Sequence, residues 1–441
     1  MEIVSSKFSY PDKPRFGQIL KYMYHNLNIG TEKEDIEVLN FVNSFLCIYK
    51  LYSNPRDMFS RVTKDRNIES RGTLRFMRLW ILRLFQNDFY DIKGAINKVI
   101  NILKQITKSH NDLLYEVNRI KLALLRKNNE LKIKSLSNLN IGSAFAPKQT
   151  LFSFPPRKIA ENLTYVEWDY FSKLNLSDFI LTKENTSLSK SVGRTNRTTF
   201  WVASNILSQK TPANQVKVIR FFIEVAQFCE EMGNYNSIFG LIFGLQLGSI
   251  SRLGKTWRLS RQSIIMLRRF NSLTSGADNY KNYRTVLEKR KSLIKDKIPT
   301  LPYIGVFMKD IKQVDEANPN YINKRINKNK LDLYSRIIQE IQIFQSVNYN
   351  LVKEKENAII HHLLTLTHWT EQKIEKESER IRPRITGVEE SDITYSDMGS
   401  DNSMNKLMDE SSGSELVDVI TQSETIDIKP ENSTPRIIFP K

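Results

Sequence analysis

The amino-acid sequence predicts an all-α protein on three observations. Apolar residues recur every three or four positions, as in Val216, Ile219, Phe222, Ile223 and Ala226, in Ile337, Ile338, Ile341 and Phe344, and in Ile359, Ile360, Leu363 and Leu364. That spacing lays a stripe along one side of a helix. No alternation of period two is sustained long enough to make a sheet. Only 16 Gly and 14 Pro occur in 441 residues, too few for the repeated tight turns of an all-β sandwich. An apolar fraction of 40% with 10% aromatics suits globular packing, and the length allows two or three domains.

The elements follow in chain order. Residues 12–106 read as a helical block whose strongest apolar segments are Phe41-Val42-Asn43-Ser44-Phe45-Leu46 and Leu74-Arg75-Phe76-Met77-Arg78-Leu79-Trp80. Residues 107–153 form a connector, helical and charged through Lys121, Arg126, Lys127, Lys132 and Lys134, ending in a loop of Ser, Pro and Lys between Ala144 and Lys158. A second helical block covers 154–384. In 385–441 Ser, Asp and Glu dominate and aromatics nearly vanish, so burial cannot offset chain entropy and the expectation is a disordered acidic tail.

Charge is uneven. The chain carries +18, and 385–441 holds 12 acidic and 4 basic residues, so the rest of the chain is at +26. A basic body suits nucleic acid, an anionic membrane leaflet or an acidic protein partner. No aromatic ladder or zinc-finger spacing accompanies the basic residues, so nucleic acid is supported by charge alone. Ser391, Ser396, Ser411, Ser412 and Ser414 lie among acids and are expected phosphorylation targets. The opposite sign of the tail suggests that it shields the body. Cys47 and Cys229 lie far apart in apolar helical stretches, as reduced core residues would. The most apolar window, Ile238 to Leu247, is much shorter than the roughly 20 residues of a bilayer helix. Met1 to Tyr10 lacks the pattern of a secretory signal. The expectation is a soluble intracellular protein.

Two motifs tempt and fail. In Gly248-Ser249-Ile250-Ser251-Arg252-Leu253-Gly254-Lys255-Thr256 five residues separate the first Gly from Gly-Lys-Thr, where a phosphate-binding loop needs four, and a helical rather than strand pattern precedes it. His361 and His362 are neighbours on a helix, about 100° apart, and cannot grip one metal from the same face; His368 does not complete a site. No metal, cofactor or directly bound small-molecule substrate is expected.

An ordered run of short motifs points to a family. Ile159-Ala160-Glu161-Asn162-Leu163-Thr164, Phe200-Trp201-Val202-Ala203-Ser204-Asn205-Ile206-Leu207, Asn234-Tyr235-Asn236-Ser237 and Ser251-Arg252-Leu253 with Thr256-Trp257 come first. Leu301-Pro302-Tyr303-Ile304-Gly305-Val306-Phe307-Met308-Lys309-Asp310, then Glu316, Asn318-Pro319 and the closing Ile381-Arg382-Pro383-Arg384, complete it. This block resembles the catalytic domain of Ras-family guanine-nucleotide exchange factors. Phe41 to Lys50, and Trp80 with Asp88-Phe89, are similar to the Ras exchanger motif that usually precedes that domain.

The resemblance implies a factor that promotes GDP release from a Ras-like small GTPase without covalent chemistry, in the cytoplasm at the inner face of a membrane. A helical hairpin over about 304–345 would wedge a switch segment aside, its first arm Ile304 to Glu316 and its second starting near Ile326. Asn318-Pro319 breaks the arms because Pro cannot continue a helix. The first block would brace the hairpin. Glu316 would face the emptied phosphate site, and Lys312, where relatives carry an uncharged residue, would either stand in for the metal's charge or weaken displacement. Tyr280, Tyr303, Asn234, Phe307 and Met308 are the expected GTPase-binding residues, with core packing an equal reading for the two tyrosines. Asn236, Arg252 and Trp257 are expected supports. Gln215 stands where the family usually has Arg, and Gly233 where it often has Asn. Together with Lys312 they favour the alternative, an exchange-inactive scaffold that still grips the GTPase.

Overall fold

The computed structural model describes residues 12, 14–29, 36–64, 70–90, 92, 94–137, 151–180, 186–254, 257–350 and 358–383. Among them are seventeen α-helices and one pair of two-residue strands, so the fold is all-α. The acidic stretch 385–441 lies outside the described residues. The chain divides into two compact units. One comprises 1–144, 179–182 and 308–341; the other 145–178, 183–307 and 342–441.

The first unit contains α1 (Phe16–Ile29), α2 (Ile36–Ile48), α3 (Pro55–Lys64), α4 (Arg71–Leu84), α5 (Ala95–Ser109) and α6 (Leu114–Ser137). α4 packs against α1, α2 and α6. It starts at Ser70, whose hydroxyl accepts from the Thr73 amide, satisfying a donor that the first turn leaves unpaired. Its buried face is Leu74, Phe76, Met77, Trp80, Ile81 and Leu84. Arg75 ties three helices, pairing with Glu116 of α6 at 2.7 Å and donating to the Leu27 carbonyl of α1 at 2.9 Å. A π-helical turn, Phe85–Tyr90, follows α4 and turns Asp88 inward. The buried carboxylate accepts from Tyr49 Oη and Trp80 Nε1, both at 2.6 Å, and pairs with Lys50 at 2.7 Å. The Trp80 and Asp88-Phe89 pattern thus has a physical meaning: an indole N–H and a phenol need one acceptor in an apolar core.

The same unit holds most of a helical hairpin, α14 (Ile304–Ala317) and α15 (Lys328–Gln345). Both arms match the sequence expectation within two residues. The connection adds a feature that periodicity did not predict, strands β1 (Tyr321–Ile322) and β2 (Arg325–Ile326), paired antiparallel. Asn323 and Lys324 between them both have positive φ, the pattern of a two-residue turn that matches strand twist. The strand pair meets the N-terminal helices. Ile326 N–H donates to the Pro14 carbonyl at 3.0 Å, Tyr321 Oη donates to the Tyr52 carbonyl at 3.2 Å, and the Tyr52 and Tyr321 rings meet edge to face.

In the second unit α10 (Tyr235–Gln246) is the centre, with every side chain from Tyr235 to Leu245 buried. α7 (Pro156–Ser172), α8 (Ser187–Leu207), α9 (Pro212–Glu231) and α12 (Arg261–Thr274) pack against it. α11 (Gly248–Ser251), α13 (Ala277–Ser292), α16 (Ala358–Thr365) and α17 (Glu371–Ile381) complete the unit. The starts are legible locally: Thr186, Thr211, Asn234, Ser260 and Thr370 each accept from the amide three residues on, and Pro156 and Pro212 open α7 and α9. Cys47 and Cys229 are free and buried.

Candidate functional site

Helix α9 ends at Glu231 with Met232 as its cap, and Gly233 follows with φ of +73°. The Gly233 amide donates to the Glu230 carbonyl at 2.9 Å and the Asn234 amide to that of Cys229 at 2.8 Å. That is the left-handed stop which satisfies a helix's last carbonyls. Gly and Asn are the residues that tolerate it, so the family's frequent Asn and this chain's Gly fit the same backbone. Asn234 then caps α10, accepting from the Ser237 amide and donating to Thr164 Oγ1 at 2.9 Å. It is wholly buried, so any effect on a partner passes through the backbone it fixes.

That backbone leads to the tyrosines. Leu301 N–H donates to the Gly233 carbonyl and Tyr235 N–H to the Leu301 carbonyl, both at 2.9 Å. Pro302 and Tyr303 follow, and the Tyr303 N–H donates to Tyr283 Oη at 2.7 Å. The Tyr303 ring stacks on Phe239 with centroids 3.9 Å apart, and Phe239 also meets Tyr280 and Tyr283. Tyr280 and Tyr303 are both buried. Burial pushes their phenol pKa values up, so both stay neutral. Tyr280 is also strained: Asp278, Asn279 and Tyr280 all have left-handed φ of 49° to 61°. Such a bulky residue in that region costs about 1–2 kcal/mol and is held only by its surroundings.

Gly305 explains how α14 starts so close to this cluster. A Cβ there would lie 2.4 Å from the Tyr303 ring, and the stack on Phe239 leaves the ring no space to retreat. Gly305→Ala should cost about 1–3 kcal/mol. Chemical denaturation checks this, and the penalty should shrink in a Tyr303→Leu background. An equal penalty in both backgrounds would place the clash elsewhere.

Along α14, Phe307 is buried and Met308 half-buried. Lys312 and Glu316 are exposed one turn apart, with 53% and 66% of their side chains accessible and Nζ 3.9 Å from Oε1. The neighbouring Asp315, which sequence reasoning passed over, joins the arms. Its Oδ1 accepts from Lys330 Nζ at 2.6 Å and Tyr334 Oη at 3.0 Å, both on α15. Burial alone would raise this carboxyl, but the two donors outweigh it and hold its pKa below the ordinary value. Asn318 and Asn329 add a side-chain bond at 3.2 Å, and Asn327 donates to the Pro319 carbonyl at 3.0 Å. The two arms therefore form one clamped piece that presents Lys312 and Glu316.

The expected supports fall as follows. Asn236 is buried and donates to Glu167 Oε2 at 3.1 Å. Trp257 is buried and donates to Gln215 Oε1 at 2.9 Å, so Gln215 has a specific partner of its own. Arg252 is half-buried and caps α11, its carbonyl accepting from Arg382. The larger structural group was missed. Arg194, 1% exposed, donates through Nε and Nη2 to Glu167 Oε1 at 3.0 and 2.9 Å and through Nη1 to the Leu363 carbonyl. The available signal was a carboxylate on the apolar stripe Leu163, Glu167, Phe171 of α7. Among the described residues no group of three or more His, Cys, Asp or Glu could hold a metal ion, and no described helix is long and apolar enough to cross a membrane. The Gly248 motif follows helix α10 rather than a strand, with Lys255 and Thr256 outside the described residues.

Comparison with known proteins bears on this geometry. The chain is 34% identical over 238 residues to Ras guanine nucleotide exchange factor Q of Dictyostelium discoideum, covering 49% of this chain and 18% of that protein. It is 26% identical over 339 residues to Ras guanine nucleotide exchange factor R of the same organism, covering 71% of this chain and 19% of that one. RAS guanyl-releasing protein 1 of Xenopus laevis is 26% identical over 372 residues, 81% of this chain and 45% of its own length. The chain thus spans less than half the length of each of these relatives. Residues 158–332, from α7 through α14 and the strand pair into α15, match the RasGEF domain family.

Proposed function

We propose that this chain is a guanine-nucleotide exchange factor for a Ras-like small GTPase. The observation that carries the proposal is the clamped α14–α15 hairpin, lying largely inside the segment that matches the RasGEF domain, with a lysine and a carboxylate exposed one turn apart on its first arm. A Ras-like GTPase holds its nucleotide through a phosphate-cradling loop, Mg²⁺ and two switch segments. A rigid wedge that prefers the nucleotide-free form lowers the barrier to release and leaves the overall equilibrium unchanged. Glu316 would pair with the lysine that the departing phosphates leave behind, and Lys312 would replace part of the metal's charge. Phe307, Met308 and the strained Tyr280–Tyr303 cluster would receive the second switch, with Asn234 fixing the backbone beneath. No covalent step is involved.

The N-terminal block is read as a Ras exchanger motif domain that braces the hairpin. The strand-pair contacts to Pro14 and Tyr52 support this. So does the 372-residue alignment, which covers 81% of this chain and must extend into that block. A membrane-facing cytoplasmic role rests on the basic charge of the body.

The test is release of a fluorescent guanine nucleotide from a panel of Ras-like GTPases. Wild type should accelerate one of them, and Glu316→Ala should slow that release by roughly 10–100-fold, the worth of one charge-assisted hydrogen bond. Lys312→Ala should slow it within about fivefold, as fits an exposed charge. Lys312 and Glu316 lie 3.9 Å apart and partly neutralise each other, which favours the scaffold as second reading. Binding to a GTPase with no acceleration would select it.

A further inference from the structure

Between residues 258 and 298 eleven Arg and Lys stand against three Asp and Glu, a net charge of +8. This run builds α12, α13 and the turn after them, and α12 packs on α13. Arg261, Arg268, Lys281, Lys289, Lys295 and Lys297 are exposed. Glu230 pairs with Arg269 and Glu288 with Lys291, which answers part of the charge of the run; the six exposed cations named above stand outside those two pairs. Lys281, Arg284 and Lys289 border a depression along α13 together with Thr285, Ser292 and the carboxylates Asp278 and Glu288, three cations against two acids.

The complementary charge belongs to the same chain. Residues 389–427 hold eleven Asp and Glu and one Lys, a net charge of −10. The described structure ends at Pro383, six residues before that segment begins. Ser378 Oγ donates to the Ser249 carbonyl and Arg382 Nη1 to that of Arg252, six residues before Arg258 opens the basic run. From Pro383 to Glu389 the chain spans at most about 20 Å. An anionic segment tethered on the same chain meets the surface at an effective concentration of order millimolar. A free partner has no such advantage.

We propose that residues 389–427 dock on the α12–α13 surface of their own chain and screen it electrostatically. The contact is one of many exposed charges, so it weakens with salt as the screening length falls from ~10 Å at about 0.1 M to ~3 Å at about 1 M. Phosphorylation of serines within the segment strengthens it, each phosphate adding about −1.5 to −2 charges.

The experiment uses the full chain with cysteines introduced by Gln262→Cys on α12 and Ser412→Cys in the acidic segment, carrying an energy-transfer pair. Native Cys47 and Cys229 are buried, and burial raises their thiol pKa values, Cys47 to about 11, so labelling goes to the new sites. Transfer should be high at about 0.1 M salt and fall at least about twofold toward 1 M. Lys281→Glu, Lys289→Glu and Lys295→Glu together should produce the same loss at low salt. Transfer indifferent to both overturns the proposal. Transfer only between separately labelled chains assigns the surface to a second copy and also overturns it. Absent transfer, with phosphatidylserine vesicles captured through the same three lysines, assigns the surface to a membrane and overturns it as well.

Discussion

Glu167→Ala is expected to destabilise the unit centred on α10 by about 3–5 kcal/mol, the usual cost of leaving one member of a buried ion pair without its partner. Arg194 is 1% exposed and Glu167 2%, so water cannot replace the lost carboxylate. The loss spreads because the group joins four helices: Glu167 on α7, Arg194 on α8, Asn236 on α10 and the terminal carbonyls of α16. The guanidinium at that helix end also answers the partial negative charge there. Against a total stability of order 5–15 kcal/mol, the variant should lose hydrogen-exchange protection across α10 at moderate urea. Glu167→Leu with Arg194→Met should recover much of the loss, since an apolar pair removes both desolvation penalties together. A single-variant cost below about 1 kcal/mol, or no recovery in the double variant, would mean that packing alone organises these helices.

How much of this was legible beforehand depends on sequence distance. Helix boundaries were readable because their causes are local, as with Pro302 ahead of α14 and Asn318-Pro319 behind it. The Trp80 and Asp88 pairing was visible as a pattern, and the structure supplied its chemistry. The strand pair at 321–326 was hidden because two-residue strands carry no period. Arg194 and the Leu363 carbonyl lie 169 positions apart, a separation at which spacing has no meaning. The choice of Glu316 over Asp315 shows the same limit. Adjacent carboxylates on one helix look alike in sequence and both are exposed, yet Asp315 clamps the opposite arm while Glu316 pairs with Lys312 of its own helix. The grouping of 308–341 with the N-terminal helices is likewise a tertiary fact.

Two of the departures from the family pattern have a local structural role. Gly233 sits at positive φ, where Gly and Asn are interchangeable in kind. Gln215 is buried and serves as acceptor for the Trp257 indole. Lys312, by contrast, is exposed on α14, where among the described residues only Glu316 lies within ion-pair distance.

Asp88→Ala tests whether the N-terminal block matters to the hairpin at all. Three donors converge on this carboxylate, and its removal strands the Tyr49 hydroxyl, the Trp80 indole and the Lys50 ammonium, at a cost of about 3–5 kcal/mol. Tyr49 and Lys50 lie three and two residues before Tyr52, whose carbonyl and ring hold Tyr321 of the strand pair. Disorder at Asp88 should therefore travel a short path to the hairpin turn and release the Ile326 amide from the Pro14 carbonyl. The expected result is loss of exchange protection at Ile326 together with a fall in GTPase nucleotide release, while amides of α10 stay protected. Tyr321→Ala, which removes only the last link, should reproduce a smaller part of both effects. Lost protection at Ile326 with undiminished nucleotide release would show that the hairpin works without its brace, because the Asp315, Lys330 and Tyr334 clamp then suffices to keep the arms together.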